Sequence, residues 1–224
     1  MRRAASSRVA EASKQRPERL VRTQERRLRP RCEVRRPTAR NSPFFYCFFP
    51  GTQEGIPEAT QDAAAAKQTK LSVIPYFLYV LSDPNKFQTG RLEPGFRLSS
   101  LNSSSVDLLN ENWAYGRNQQ SRRYLAKMIQ HFPSSGILNQ EGHLISWMLM
   151  DLFGTQAHGY TLPSFCGKGY LAITAKALCM QAYNAGYSVY GFVALKNNHM
   201  QRLLEKGGYQ KVSELSYLCF HDTT

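Results

Sequence analysis

The chain has 224 residues, 42% of them hydrophobic, and a formal net charge of +13. Nothing in it approaches the roughly 18 to 20 consecutive apolar residues of a membrane-spanning helix, so it reads as a soluble chain with one core of ordinary size and room for a small second lobe. The charge is concentrated in residues 1–40, which hold 14 Lys+Arg and 4 Asp+Glu; the rest is nearly balanced, and the nucleic-acid surface suggested by the total is not expected.

The first stretch, MRRAASSRVAEASKQRPERLVRTQERRLRPRCEVRRPTAR, has almost no periodic apolar face and cannot bury enough surface to offset its ordering entropy. Residues 1–50 are expected to be a disordered basic tail. Arg, Ala and Ser dominate its first ten residues and no acid precedes Glu11, as in a mitochondrial presequence, but Glu11, Glu18, Glu25 and Glu33 interrupt that pattern. Targeting to the mitochondrion is one expectation and a solvated tail on a cytoplasmic protein the other. No aromatic interleaves the arginines to stack on bases.

Within the same region NSPFFYCFFPG is a short apolar run closed by Pro50-Gly51. Residues 51–94 are expected to hold a helix from about Pro57 to Thr69, an extended apolar piece from Val73 to Val80, and a loop from Ser82 to Leu98. From residue 95 the pattern is regular. Ser104 or Ser105 caps a short helix through Val106 and Leu109 to Trp113, closed by Gly116. Asn118 caps a second with Tyr124, Leu125, Met128 and Ile129 as its buried stripe, stopped by Pro133. SSGIL and HLISWMLMD form a hairpin through Asn139-Gln-Glu-Gly142. The strand TQAHGYTL follows, then a glycine turn and a helix from Gly169 to Tyr183 with Leu171, Ala175, Leu178 and Ala182 on one face. A strand YSVYGFVAL, a helix capped by Asn197 or Asn198, and a strand pair around YQKV and LSYLCF complete the order α-α-β-β-β-α-β-α-β.

Cys32, Cys47, Cys166, Cys179 and Cys219 are odd in number and lack C-x-x-C spacing, and the five histidines form no H-x-x-x-H pair, so neither a disulfide framework nor a metal site is expected. The informative stretch is YTLPSFCGKGYLAITAKAL, residues 160–178. A strand that enters a helix through glycines brings bare backbone amides to an anion. Gly167-x-Gly169-x-x-Ala172 also fits a loosened dinucleotide fingerprint, but the acid expected about 20 residues later is absent; between Asp151 and Glu205 there is none, while Lys168, Lys176, Lys196 and Arg202 are present. The P-loop pattern is missing too. Several phosphates lying along a sheet, as in coenzyme A, suit these residues.

Ser164-Phe-Cys-Gly-Lys-Gly169 resembles the acyl-CoA pyrophosphate loop of the GNAT superfamily, and Asn197-Asn-His-Met-Gln-Arg-Leu-Leu-Glu-Lys-Gly-Gly-Tyr209 its later helix-and-strand motif. Trp113, Gly116, Asn118, Ser121, Phe132-Pro133, Glu141-Gly142, Trp147 and Met150-Asp151 narrow the likeness to the glycine N-acyltransferase family, from about Leu98 to Tyr209. The resemblance implies an α/β (α+β) GNAT fold, a mixed central sheet flanked by helices over residues 95–224, with 51–94 as the remnant of an N-terminal lobe. It implies acyl transfer from acyl-CoA to the amine of glycine or another small amino acid, with acyl-CoA as co-substrate and no permanently bound cofactor.

By that resemblance Tyr160, Thr161, Leu162, Cys166, Gly167, Lys168, Gly169 and Asn197 hold the coenzyme, and amides around Gly159 to Leu162 receive the oxyanion. The family's proposed base is a glutamate where this chain has Thr155, whose hydroxyl cannot hold an amine proton near neutral pH. Loss of a general base typically costs about 10² to 10⁴ in rate. His158 is the substitute base if a bulge turns it inward. Cys166 stands where an arginine is common, and Leu204 where a tyrosine acid is common, which leaves Tyr209 or water for the thiolate. Two functions therefore compete: a transferase, and a CoA-binding pseudoenzyme or partner-binding protein without the base.

Overall fold

The computed structural model describes residues 45–49, 55–68 and 70–222, so the tail expected over 1–50 lies outside the described residues apart from the backbone of 45–49. That backbone is a strand, β1 (Phe45–Phe49). Pro57 starts α1 (Ile56–Ala66), where its missing N–H would have no partner anyway, and Gln68 at φ +55° ends it, earlier than the expected Thr69. β2 (Lys70–Leu81) is longer than the apolar piece read from the sequence. The expected loop after it contains a short strand, β3 (Arg97–Ser99), which lacks apolar alternation and is held by pairing to the next strand.

α2 (Val106–Asn112) is not capped by Ser105, whose side chain makes no cap bond; Asn102 instead accepts from the Ser104 amide and opens a preceding 3-10 turn. α3 (Gln119–His131) has the expected Asn118 cap as a reciprocal box: Asn118 accepts from the Ser121 amide while Ser121 Oγ accepts from the Asn118 amide. β4 (Ser134–Leu138) and β5 (Leu144–Met150) form the hairpin, followed by β6 (Gln156–Thr161), α4 (Tyr170–Asn184), β7 (Val189–Ala194), α5 (Asn198–Lys206) and β8 (Gln210–Asp222). The expected final strand pair is one strand. Val212, Ser213 and Glu214 on β8 stand opposite Leu78 alone on β2, and this bulge is the break that reads as a turn in the sequence.

The strands make two four-stranded sheets, β3-β4-β5-β6 and β1-β8-β2-β7, each with antiparallel neighbours. β2 lies between β8 and β7, so a strand from before residue 95 completes a sheet of C-terminal strands. One core packs α4 and α5 against the sheets through Tyr79, Met148, Met150, Ala175, Leu178 and Val193. A second packs α2 and α3 on the opposite face of β5 through Leu109, Leu125, Met128, Trp147 and Leu149. The alternation of β5 thus sends Met148 and Met150 one way and Trp147 and Leu149 the other, which is why this strand reads as continuously apolar. Among the described residues no helix is long and apolar enough to cross a membrane.

Candidate active site

The β6-α4-β7 crossover brings together two strand edges that are not paired with each other: among the described residues β6 pairs with β5 and β7 with β2. They touch near Gln156 and Gly191, where a Cβ added to Gly191 would stand 3.2 Å from the Gln156 carbonyl oxygen. Between them the chain passes through the glycine turn. Gly167 and Gly169 take φ +84° and +79°, values that exclude most side chains, and a Cβ at Gly169 would face open space. The exposed turn leaves the amides of Gly167, Lys168 and Gly169, and those of Tyr170 and Leu171 in the first turn of α4, without a protein acceptor among the described residues. Such amides and the helix dipole favour an anion.

The side chains around this turn are partly committed elsewhere. Lys168 Nζ lies 3.1 Å from Glu93 Oε1, and that bond holds the Glu93 carboxyl below its ordinary range. Cys166 Sγ donates to the Thr161 carbonyl at 3.5 Å. Asn197 accepts from the Met200 amide and caps α5, so its side chain serves to start that helix. Just past the end of β6, Leu162 N–H donates to Ile145 O at 2.9 Å, which removes it from the amides expected to serve an oxyanion. The alternation of the strand turns the Gly159 and Thr161 amides the other way, toward the open edge. Tyr160 packs its ring on Trp147 at 5.2 Å, and Thr161 Oγ1 is 2.8 Å from Ser146 Oγ.

The bulge needed to redirect His158 exists. Trp147 pairs with Tyr160 and Leu149 with Ala157, so His158 and Gly159 both oppose Met148, and His158 adopts φ +56°. Its ring meets Trp113 edge-on at 4.7 Å and lies 5.7 Å from Tyr124, on the side of α2 and α3. Nδ1 is enclosed and has no hydrogen-bond partner among the described residues, and burial pushes the imidazole pKa down to about 4. The bulge therefore delivers a neutral imidazole that is a weak acceptor for an ammonium proton.

Thr155 is 2% exposed, and its hydroxyl donates to Asp151 Oδ2 at 2.5 Å. Asp151 Oδ1 also accepts the amides of Phe153 and Thr155, each at 2.9 Å. Burial raises the Asp151 pKa, opposed by these three bonds. In the sequence Asp151 is only a landmark of resemblance; the signal for more is an acid four residues before the threonine, across a Gly154 turn that folds one onto the other. Tyr209, the candidate proton donor for the thiolate, is 4% exposed and does not reach this site. It donates to Gln156 Oε1 and sits 3.0 Å from Cys179 Sγ in the core behind β6, with its pKa raised by burial and then by Cys179. Among the described residues there is no cluster suited to a metal ion.

Comparison with known proteins decides the family. Residues 47–133 match the family model for aralkyl acyl-CoA:amino acid N-acyltransferase and residues 135–215 match its C-terminal region. The chain belongs to the aralkyl acyl-CoA:amino acid N-acyltransferase family. Bovine glycine N-acyltransferase is 32% identical over 171 residues, covering 68% of this chain and 57% of that protein. The human glycine N-acyltransferase-like protein 2 is 30% identical over 132 residues, covering 53% and 45%. This member of the family thus spans about half the length of the curated relatives it matches. Among solved structures, a Drosophila protein superposes with TM-score 0.68 at 20% identity, over 75% of this chain and 58% of that one. A tandem GNAT protein from the clavulanic acid biosynthesis pathway gives 0.51 at 15%, over 81% and 63%. The fold is that of the GNAT acetyltransferases.

Proposed function

We propose that this chain transfers an acyl group from acyl-CoA to the amine of an amino acid, with glycine as the default acceptor, in a ternary complex without a covalent enzyme intermediate. The observation that carries this reading is the row of amides from Gly167 to Leu171 at the start of α4, without acceptors among the described residues, beside edges of β6 and β7 that no described strand covers. The coenzyme's diphosphate occupies those amides, and its pantetheine arm follows the edge of β6. The Gly159 and Thr161 amides, turned away from β5, are the donors available to a tetrahedral oxyanion. Relatives named for glycine N-acyl and N-phenylacetyl transfer support the substrate class. The aromatic side chains Trp113, Tyr124 and His158 line the α2-α3 side of the same strand.

The purified protein, given benzoyl-, phenylacetyl- and acetyl-CoA with glycine or glutamine, is expected to release free CoA thiol and form the acylated amino acid. Tight CoA binding by calorimetry without thiol release for any pair would replace this reading with that of a CoA-binding protein. We also propose a mitochondrial address for the Arg-, Ala- and Ser-rich start. N-terminal sequencing of the cellular protein tests it, since an intact Met1 end on the mitochondria-free fraction overturns it.

A further inference from the structure

We propose that Asp151 takes the proton from the acceptor ammonium, so that the carboxylate lacking at position 155 is supplied from four residues earlier in the chain. This assignment rests on the acyl-transfer reading above.

The turn from Asp151 to Thr155 fixes the carboxylate. Oδ1 accepts the Phe153 and Thr155 amides and Oδ2 accepts the Thr155 hydroxyl. An ionised carboxylate offers about four lone-pair sites, so one on Oδ2 is left over. The Tyr190 hydroxyl on β7 donates to the Phe153 carbonyl at 2.5 Å and ties the turn to the second sheet. Asp151 is thereby placed where β5 ends, Gln156 begins β6, and β6 meets β7. The titratable groups facing it are Tyr124 from α3 and Tyr190 from β7, both with pKa values raised by burial first and by Asp151 second, so both are neutral at pH 7. No cation forms a salt bridge with Asp151 among the described residues. A half-buried carboxylate with ordered donors and no cation is completed by an incoming ammonium.

The transfer then balances. The ammonium gives one proton to Asp151, and the freed nitrogen lone pair forms the C–N bond at the thioester carbonyl, whose oxygen becomes the oxyanion. As the oxyanion collapses the C–S bond breaks and the thiolate leaves with the electron pair. The second proton on nitrogen goes to that sulfur, and the Asp151 proton returns to water. Thr155 touches none of the reacting atoms; it is a positioning residue that holds Oδ2 and favours its ionised form.

Asp151→Asn retains an oxygen for the two amide bonds but accepts no proton, which makes it the variant of choice. Wild type, Asp151→Asn, Thr155→Val and Thr155→Ser are compared by thiol release with glycine and with hydroxylamine, which is unprotonated at neutral pH and needs no base before attack. Asp151→Asn is expected to lower kcat/KM for glycine by about 10² to 10⁴, with less than about a tenfold loss toward hydroxylamine above the uncatalysed background and an unchanged melting temperature. Thr155→Val is expected to move the acidic limb of the glycine profile upward, and Thr155→Ser to restore it. Asp151→Asn within about threefold of wild type toward glycine, or equally impaired toward both nucleophiles, overturns the assignment while leaving acyl transfer standing. A wild type that binds CoA but serves neither nucleophile overturns both.

Discussion

Gly191 on β7 lies against the backbone of Gln156 on β6, with 3.2 Å between the position a Cβ would take and the Gln156 carbonyl oxygen. Among the described residues these two strands share no ladder, and the contact lies next to the turn carrying Asp151. Gly191→Ala forces one strand to shift by a few tenths of an ångström. Overpacking of this kind costs about 1 to 3 kcal/mol. We expect a lower melting temperature and a severalfold weaker CoA affinity by calorimetry; an unchanged affinity would show that the spacing of these edges does not govern coenzyme binding.

Tyr209 closes a buried network in which Gln156 Nε2 donates to the Ala175 carbonyl and Cys179 Sγ while Gln156 Oε1 receives the tyrosine hydroxyl. Tyr209→Phe leaves that oxygen without its donor, a loss of about 1 to 3 kcal/mol. Denaturant unfolding is expected to show this loss, with thiol release per folded molecule within about twofold of wild type. A tyrosine that protonated the leaving thiolate would instead alter the basic limb of the pH profile.

His158 makes stability depend on pH in a definite direction. Its folded pKa of about 4 is below the ordinary value of 6.5, so between these values the unfolded chain binds a proton that the folded chain does not. Stability is fully present above the unfolded pKa and declines as pH falls toward the folded one, by about 3 kcal/mol at 1.36 kcal/mol per unit. Asp151, with its pKa raised by burial, acts in the opposite sense, losing stability as pH rises above the ordinary carboxylate value. His158→Asn keeps a residue tolerant of φ +56° and removes the imidazole. Urea unfolding of this variant should be flatter than wild type across the acid range; parallel curves would show that the imidazole is solvated.

The Lys168 ammonium lies 3.1 Å from Glu93 Oε1 at the edge of the glycine turn, within reach of the anion proposed there. An exposed pair of this kind adds little to stability, so neither Lys168→Ala nor Glu93→Gln should shift the melting temperature much. Their effects on coenzyme should be opposite. Glu93→Gln frees the ammonium and removes a nearby negative charge, and CoA binding tightens; Lys168→Ala weakens it and lessens its salt dependence. Equal effects of both variants would place the phosphates away from this turn.

The order and type of most elements after residue 95 were legible from the sequence because local rules govern them. Asn118 and Ser121 form a capping box wherever a helix follows them, Gly167 and Gly169 permit a positive φ that other residues resist, and Leu178 and Ala182 share a helix face by spacing alone. Three things depended on contacts between distant parts of the chain. β3 has no apolar pattern and exists because β4 pairs with it, β8 appears broken because its bulge is compensated by β2, and β2 itself lies between strands more than a hundred residues away.

The site divides along the same line. The glycine turn and the absence of acid between Asp151 and Glu205 are properties of the string of residues, and they point to a phosphate ligand without any knowledge of the fold. Which groups stand beside it is a matter of distance across space. The sequence has a threonine where the family resemblance implies a glutamate, and a histidine of suitable intrinsic pKa, whereas folding enclosed the histidine against Trp113 and bent Asp151 onto Thr155. Residue type sets what a side chain can do with a proton; burial and neighbours, which only the folded chain provides, decide whether it does so.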